Sequence, residues 1–178
     1  MVRVKPLENK TKHLNESAQA LMQEERWDEV INLIEPHQQL HKEDAELSWN
    51  LGWCYFKLQD WKTAQLHLSR ARDLNPKSAA AWWALGAAQM EAGVLEEAER
   101  NVKESLLMRD STIFRQTLAF ILMKRKKLAE AEQVHLSGLD LKPDSPERWE
   151  SYAIFLEDMG RHTEAQIAFK NAYLFRGA

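Results

Sequence analysis

The stretch "AELSWNLGWCYFKLQDWKTAQLHLSRARDLNPKS", Ala45 to Ser78, decides how the rest of the chain is read. Its apolar residues recur at helical spacing, with none of the apolar/polar alternation of a half-buried strand. Its closing "LNPKS" returns as "LKPDS" at Leu141 to Ser145, and the two together set a frame. In that frame the chain divides into intervals 11–44, 45–78, 79–111, 112–145 and 146–178, with residues 1–10 as an N-terminal segment. The interval 79–111 is one residue short of 34. A fixed period of this length is the mark of a repeat architecture.

Equivalent places in the intervals hold equivalent residues. Large-then-small pairs stand at Leu51-Gly52, Leu85-Gly86, Leu118-Ala119 and Tyr152-Ala153. Small residues follow at Ala64, Ala98, Ala131 and Ala165. Trp82 and Trp149 lie near interval starts, and Pro76 and Pro143 near interval ends. This pattern resembles the tetratricopeptide repeat family, whose 34-residue unit is a helix–turn–helix. The resemblance implies an all-α, right-handed helical solenoid of about five repeats forming one domain over residues 11–178. It also implies a protein that binds other proteins.

The family pattern has a physical sense. Small residues let two helices approach closely, and large ones fill the space between them. Ser145-Pro146 offers an N-cap followed by a proline in the first turn, where a missing N–H costs nothing. Gly93 and Gly160 fall where first helices should end, and can take the left-handed conformation there. Two departures stand out. Pro36 falls inside the second helix of the first repeat and should shorten or kink it. Asp110 stands near the place of a closing proline in the short third repeat.

The composition fits a soluble globular protein, with 44% hydrophobic and 29% charged residues among 178. A single cysteine, Cys54, excludes an internal disulfide framework and fits a reducing compartment. "MVRVKPLENKTKHL" has no apolar core of a secretory signal, and no apolar run is long enough to span a membrane. A cytoplasmic protein without membrane insertion is expected. The net charge of −3 gives no electrostatic footprint for nucleic acid. The run "KRKK", Lys124 to Lys127, reads as a solvated turn between two helices.

Catalysis finds no support: there is no Gly-rich phosphate loop, nucleophile elbow or zinc signature. No enzyme activity, cofactor or metal is expected. His37 and His41 share a helical spacing, but a metal site needs further convergent ligands. Cys54 lacks an activating base nearby in sequence and reads as a buried structural thiol. Trp27 and Trp61 occupy matching places early in second helices and read as inter-helix packing residues.

One feature of "SWNLGWCYF" exceeds what packing needs. On a helix, Leu51, Gly52, Tyr55 and Leu58 form the packing stripe, while Trp49, Trp53 and Phe56 form another at i, i+4 and i+7. In the resembled family this second stripe lines a concave groove where partners bind. The same offsets give Lys12, Asn15, Gln19 and Met22 in the first repeat, Trp83, Ala87 and Met90 in the third, and Ile113, Gln116, Phe120 and Met123 in the fourth. In the fifth they give Glu147, Glu150, Ile154 and Glu157. The expected groove is thus lined by Trp49, Trp53, Phe56, Trp83, Met90 and Phe120, with Asn50 and Gln116 supplying hydrogen bonds to a backbone. Inter-repeat packing of the same tryptophans is the competing reading.

Aromatic rings beside polarisable methionines suit an apolar or amphipathic segment of another protein. Family members that grip a terminal carboxylate use basic groove residues, which are missing here. The apolar lining is closer to that of members serving as chaperones for secreted proteins. A homo-oligomer that buries the aromatic face in its own copy is the alternative. Separately, Phe155, Met159, Ile167 and Tyr173 are candidates for a terminal face that a further helix normally covers, and self-association through that face is a second route to an oligomer.

Overall fold

The computed structural model describes the backbone of residues 4–177, and side chains from Asn9 to Gly177 except those of Gln38 and His41. Every regular element among these residues is helical, so the fold is all-α. The chain forms two compact units, Met1–Met108 and Arg109–Ala178.

In the first unit, helices α1 (Val4–Gln23) and α2 (Trp27–Ile34) lead into a single 3-10 turn at Glu35–His37, followed by α3 (Gln38–Glu43). Pro36 sits in that 3-10 turn and ends the helix that the repeat pattern would continue, as expected from its missing N–H. Helix α1 starts at Val4, inside the segment set apart as residues 1–10. Two regular pairs follow: α4 (Ala45–Lys57) with α5 (Trp61–Leu74), and α6 (Ala79–Glu91) with α7 (Leu95–Met108). The second unit contains α8 (Thr112–Lys124) with α9 (Leu128–Leu141), and α10 (Pro146–Asp158) with α11 (His162–Arg176).

The short third interval leaves the helices untouched. Helices α6, α8 and α10 each have 13 residues, and α5, α7 and α9 each have 14. The missing residue comes from the connection 109–111, where its counterparts are 75–78 and 142–145.

Local chemistry sets the boundaries. Asp44 accepts the Leu47 amide at 2.8 Å, Asp60 accepts that of Thr63 at 3.1 Å, and Ser78 accepts that of Ala81 at 3.3 Å. Each satisfies a donor that the first turn leaves open. Ser145 precedes Pro146 as expected, but its hydroxyl donates to Glu147 at 2.8 Å instead of capping. Every turn between paired helices places one residue in the left-handed region: Glu25, Gln59, Gly93, Lys126 and Gly160. Their spacing repeats the period of the sequence, although only two of the five are glycine.

Close helix approach explains the small residues. A Cβ on Gly52 would lie 2.6 Å from Leu68 Cγ, and one on Gly86 would lie 2.5 Å from Val102 Cγ2. Leu51, Leu68, Leu85 and Val102 are fully or almost fully buried around these contacts. Burying one such side chain contributes about 1.5–3 kcal/mol. Leu14, Ile31, Ile34, Leu47 and Cys54 form a further cluster where the first repeat meets α4.

In the second unit Phe114, Leu118, Ile121, Leu122 and Leu156 fill the interior. Asp110, in the shortened connection, binds two arginines there: Arg115 donates to it at 2.6 Å, and Arg148 also donates to it. Arg115 reaches on to the Val134 carbonyl and Ser137, and Arg148 to the Gly138 carbonyl. Burial opposes ionisation of Asp110, but the hydrogen bonds from Arg148 and Arg115 outweigh it and hold its carboxyl below the usual range. Gly138 leaves room for this network, since a Cβ there would lie 3.0 Å from Arg115 Cδ. The run Lys124–Lys127 closes α8 and forms the turn into α9.

Candidate functional site

In the first unit the expected stripe on α4 is an aromatic ladder. Trp49 and Trp53 stack with centroids 5.5 Å apart and planes 7° from parallel. Trp53 and Phe56 stack at 5.0 Å and 10°. Trp83 reaches from α6 to meet Trp53 at 5.5 Å, and Trp61 meets Phe56 edge-on at 5.2 Å. The Lys57 ammonium lies 5.5 Å from the Trp27 ring centre and 5.6 Å from that of Trp53. All of these aromatics are half-buried. Trp49, Trp53, Phe56 and Trp83 are covered both by one another and by the core cluster of Ala64, Leu68, Ala84, Leu85 and Ala88. Met90, farther along α6, is half-buried as well, and Ala87 between it and Trp83 is buried.

Two polar groups qualify this surface. The Trp49 indole N–H is buried without an acceptor, a state that costs about 1–3 kcal/mol. Asn50, expected to bond a ligand's backbone, instead donates its amide to Asn15 Oδ1 at 3.0 Å and is only 2% exposed. That expectation is corrected: Asn50 is buried and spends its amide on Asn15 inside the unit, as a buried polar group tends to.

In the second unit Gln116, Phe120 and Met123 of α8 face Ile154 of α10 across a cavity of about 200 Å³. Phe120 is 47% exposed and Ile154 44%, so both keep much of their surface open at the cavity. Asp158, the last residue of α10, stands on the cavity's edge. His135 and Ser151 are buried lining residues, with the Ser151 hydroxyl 3.4 Å from His135 Nδ1. Phe155 belongs here too: it is 3% exposed and its ring lies 5.0 Å from that of His135. The expectation of Phe155 on an open terminal face is therefore corrected. Burial, with the nearby Arg115 charge as a lesser cause, pushes the His135 imidazole down to about 4, so it is neutral near pH 7.

The sequence offered one overlooked signal for this cavity. His135 occupies in its repeat the place that Leu68 and Val102 hold in theirs. A polar ring at an otherwise apolar core position marks the pocket.

The other singled-out residues have structural places. Cys54 is a free, buried thiol, and burial pushes its pKa up to about 12, which keeps it protonated and unreactive. Trp27 packs beside the first cluster and Trp61 against Phe56, as inter-helix residues. His37 ends the 3-10 turn, and the side chain of His41 lies outside the described residues. Met159 is half-buried, while Ile167 and Tyr173 on α11 are exposed, Tyr173 at 78%. Among the described residues no helix is long and apolar enough to cross a membrane.

Residues 21–88 match the family model described as Tetratricopeptide repeat. No curated protein sequence matches the chain. A crystal structure of MamA has a TM-score of 0.72 at 17% identity, covering 90% of this chain and 94% of that one. MamA 41-end from Desulfovibrio magneticus RS-1 has a TM-score of 0.74 at 15% identity, covering 94% and 95%. PilF of Pseudomonas aeruginosa has a TM-score of 0.77 at 14% identity, covering 96% of this chain and 78% of that one. At these identities the likeness is one of fold.

Proposed function

From a chain whose residues 21–88 are tetratricopeptide repeats and whose helices follow that fold throughout, we propose a non-catalytic protein-interaction module. Its aromatic ladder holds an apolar or amphipathic segment of another protein. One observation carries this reading: Trp49, Trp53, Phe56 and Trp83 form a contiguous stacked array that packs on Leu68, Leu85 and the alanines around them, yet every ring stays only half-buried. An aromatic side chain covers about 150–250 Å² when fully buried, so the uncovered parts of four adjoining half-buried rings add up to a contiguous apolar patch of the kind that marks interaction sites. Stacked rings with few rotamers also lose little entropy on binding, as anchors at interfaces require. Residues 11–178 are read as one array of five repeats, and the lone buried thiol suits a reducing, cytoplasmic setting.

The test compares wild type with a Trp53→Ala/Trp83→Ala variant whose fold is verified by circular dichroism. Each serves as bait in lysate of the native host, with retained proteins identified by mass spectrometry. A protein held by the wild type and lost from the variant supports the ladder as the binding face. Identical retained sets would remove it. A second reading, self-association, is favoured by the exposed Ile167, Tyr173 and Leu174 on α11. Light scattering decides it: a dimer or larger species that becomes monomeric on Tyr173→Glu supports that reading.

A further inference from the structure

We propose that the cavity of the second unit takes a single large apolar side chain from a partner segment in which lysine or arginine flanks that side chain. This rests on the interaction-module reading and adds the partner's chemistry. The cavity is about 200 Å³, below the ~300–1,000 Å³ of small-molecule pockets. Its scale suits one side chain. Phe120, Met123, Ile154 and Phe155 give it apolar walls, and methionine adapts to varied shapes. The histidine in its lining is neutral near pH 7, so it adds no charge that would repel a cation.

The selection for positive charge comes from the edge. Asp158 lines the opening, and Glu157 precedes it, three residues beyond Ile154 and on the adjoining helical turn. Both carboxylates are exposed, and neither has an ion-pair partner among the described residues. Glu150, one turn earlier, is already held by Arg176. Glu157 and Asp158 also sit at the C-terminal end of α10, where the helix dipole adds roughly half a negative charge. An apolar socket edged by two free carboxylates and a helix C-terminus complements an apolar residue with basic neighbours. An acidic segment would meet repulsion from all three.

The probes are three fluorescein-labelled pentapeptides with one central leucine, flanked on both sides by lysine, by glutamine or by glutamate. Binding is read by fluorescence anisotropy in 0.15 M salt, where charges beyond ~8 Å are largely screened. The lysine-flanked peptide is expected to bind about three- to tenfold more tightly than the glutamine-flanked one, the gain of one or two exposed ion pairs. The glutamate-flanked peptide should bind most weakly. Glu157→Gln/Asp158→Asn should erase the lysine preference, while Asp140→Asn/Asp144→Asn, elsewhere in the same unit, should keep it. Phe120→Ala should weaken all three. Equal binding of the lysine and glutamine peptides overturns the charge selection and leaves the interaction-module reading standing. A lysine preference that survives Glu157→Gln/Asp158→Asn, or binding unmoved by Phe120→Ala, also overturns the proposal. Binding of none of the three removes the cavity as a site, while the aromatic ladder keeps its separate test.

Discussion

Trp82 ties the turn before its own helix by donating its indole N–H to the Pro76 carbonyl at 2.8 Å. Trp149 does the same to Pro143 at 2.7 Å, six residues back in each case. The proline fixes φ and lacks a donor, and its carbonyl accepts a long-range bond from the helix that follows. The Arg72 guanidinium lies 5.1 Å from the Trp82 ring centre and covers the same joint. Phenylalanine keeps the ring and loses the donor, so Trp82→Phe and Trp149→Phe should each cost about 1 kcal/mol. Urea-denaturation midpoints measure this, and unchanged midpoints would show the two bonds to be incidental.

The left-handed turn residues predict opposite signs for opposite exchanges. Gln59 and Lys126 adopt a conformation that costs a residue with a Cβ about 1 kcal/mol, and Gly93 adopts it freely. A Cβ at Gly93 would meet nothing within 4 Å, so only the backbone decides there. Gly93→Gln should destabilise by about 1 kcal/mol, whereas Gln59→Gly and Lys126→Gly should be neutral or stabilising by up to that amount. Thermal unfolding of the three variants checks the signs.

Helix spacing sets a third expectation. A methyl at Gly86 would meet Val102 Cγ2 at 2.5 Å and the Ala98 carbonyl at 3.1 Å, and the second of these is backbone. Gly86→Ala should cost about 1–3 kcal/mol through overpacking. Adding Val102→Ala relieves the side-chain clash but not the backbone one. Gly86→Ala should therefore cost less in the Val102→Ala background than in the wild type, a difference measured as the coupling between the two sites.

A pH dependence follows from His135. Its pKa is depressed to about 4 in the fold against an ordinary value near 6.5. Between these values the unfolded chain binds the extra proton, so stability is full above about 6.5 and falls as the pH drops toward 4. From pH 7 to pH 5 the loss should be about 2 kcal/mol. In His135→Leu, which restores the residue type found at the equivalent Leu68, this part of the loss should vanish. Denaturant titrations of both proteins at the two pH values provide the comparison.

Much of the fold can be read from residue spacing because it rests on local rules. Leu51-Gly52 and Leu85-Gly86 mark helix contacts, Pro76 and Pro143 mark turns, and Pro36 marks an interruption. Each works over a few residues of its own chain. The aromatic ladder is legible for the same reason, since Trp49, Trp53 and Phe56 share one face of one helix. Gln116 and Phe120 likewise fall on one side of α8, and both line the cavity of their unit. Asn50 is not legible in this way, because its partner Asn15 lies 35 residues earlier and only tertiary structure brings the amides together. Phe155 lies one position beyond Ile154, and whether it faces solvent or His135 depends on how α9 packs. The network of Asp110, Arg115 and Arg148 has the same character: three charges spread over two helices and a connection carry no local signature.

The missing residue of the third interval, taken from the joint at 109–111 while every flanking helix keeps its length, bears on how such a chain can change over generations. A codon lost within α7 or α8 would rotate the remaining side chains by about 100° and turn the buried face outward. A codon lost between them rotates nothing within either helix, and the two arginines that grip Asp110 can hold the shortened splice. Length variation among descendants of this protein should accordingly gather at the joints, with the helices inherited whole.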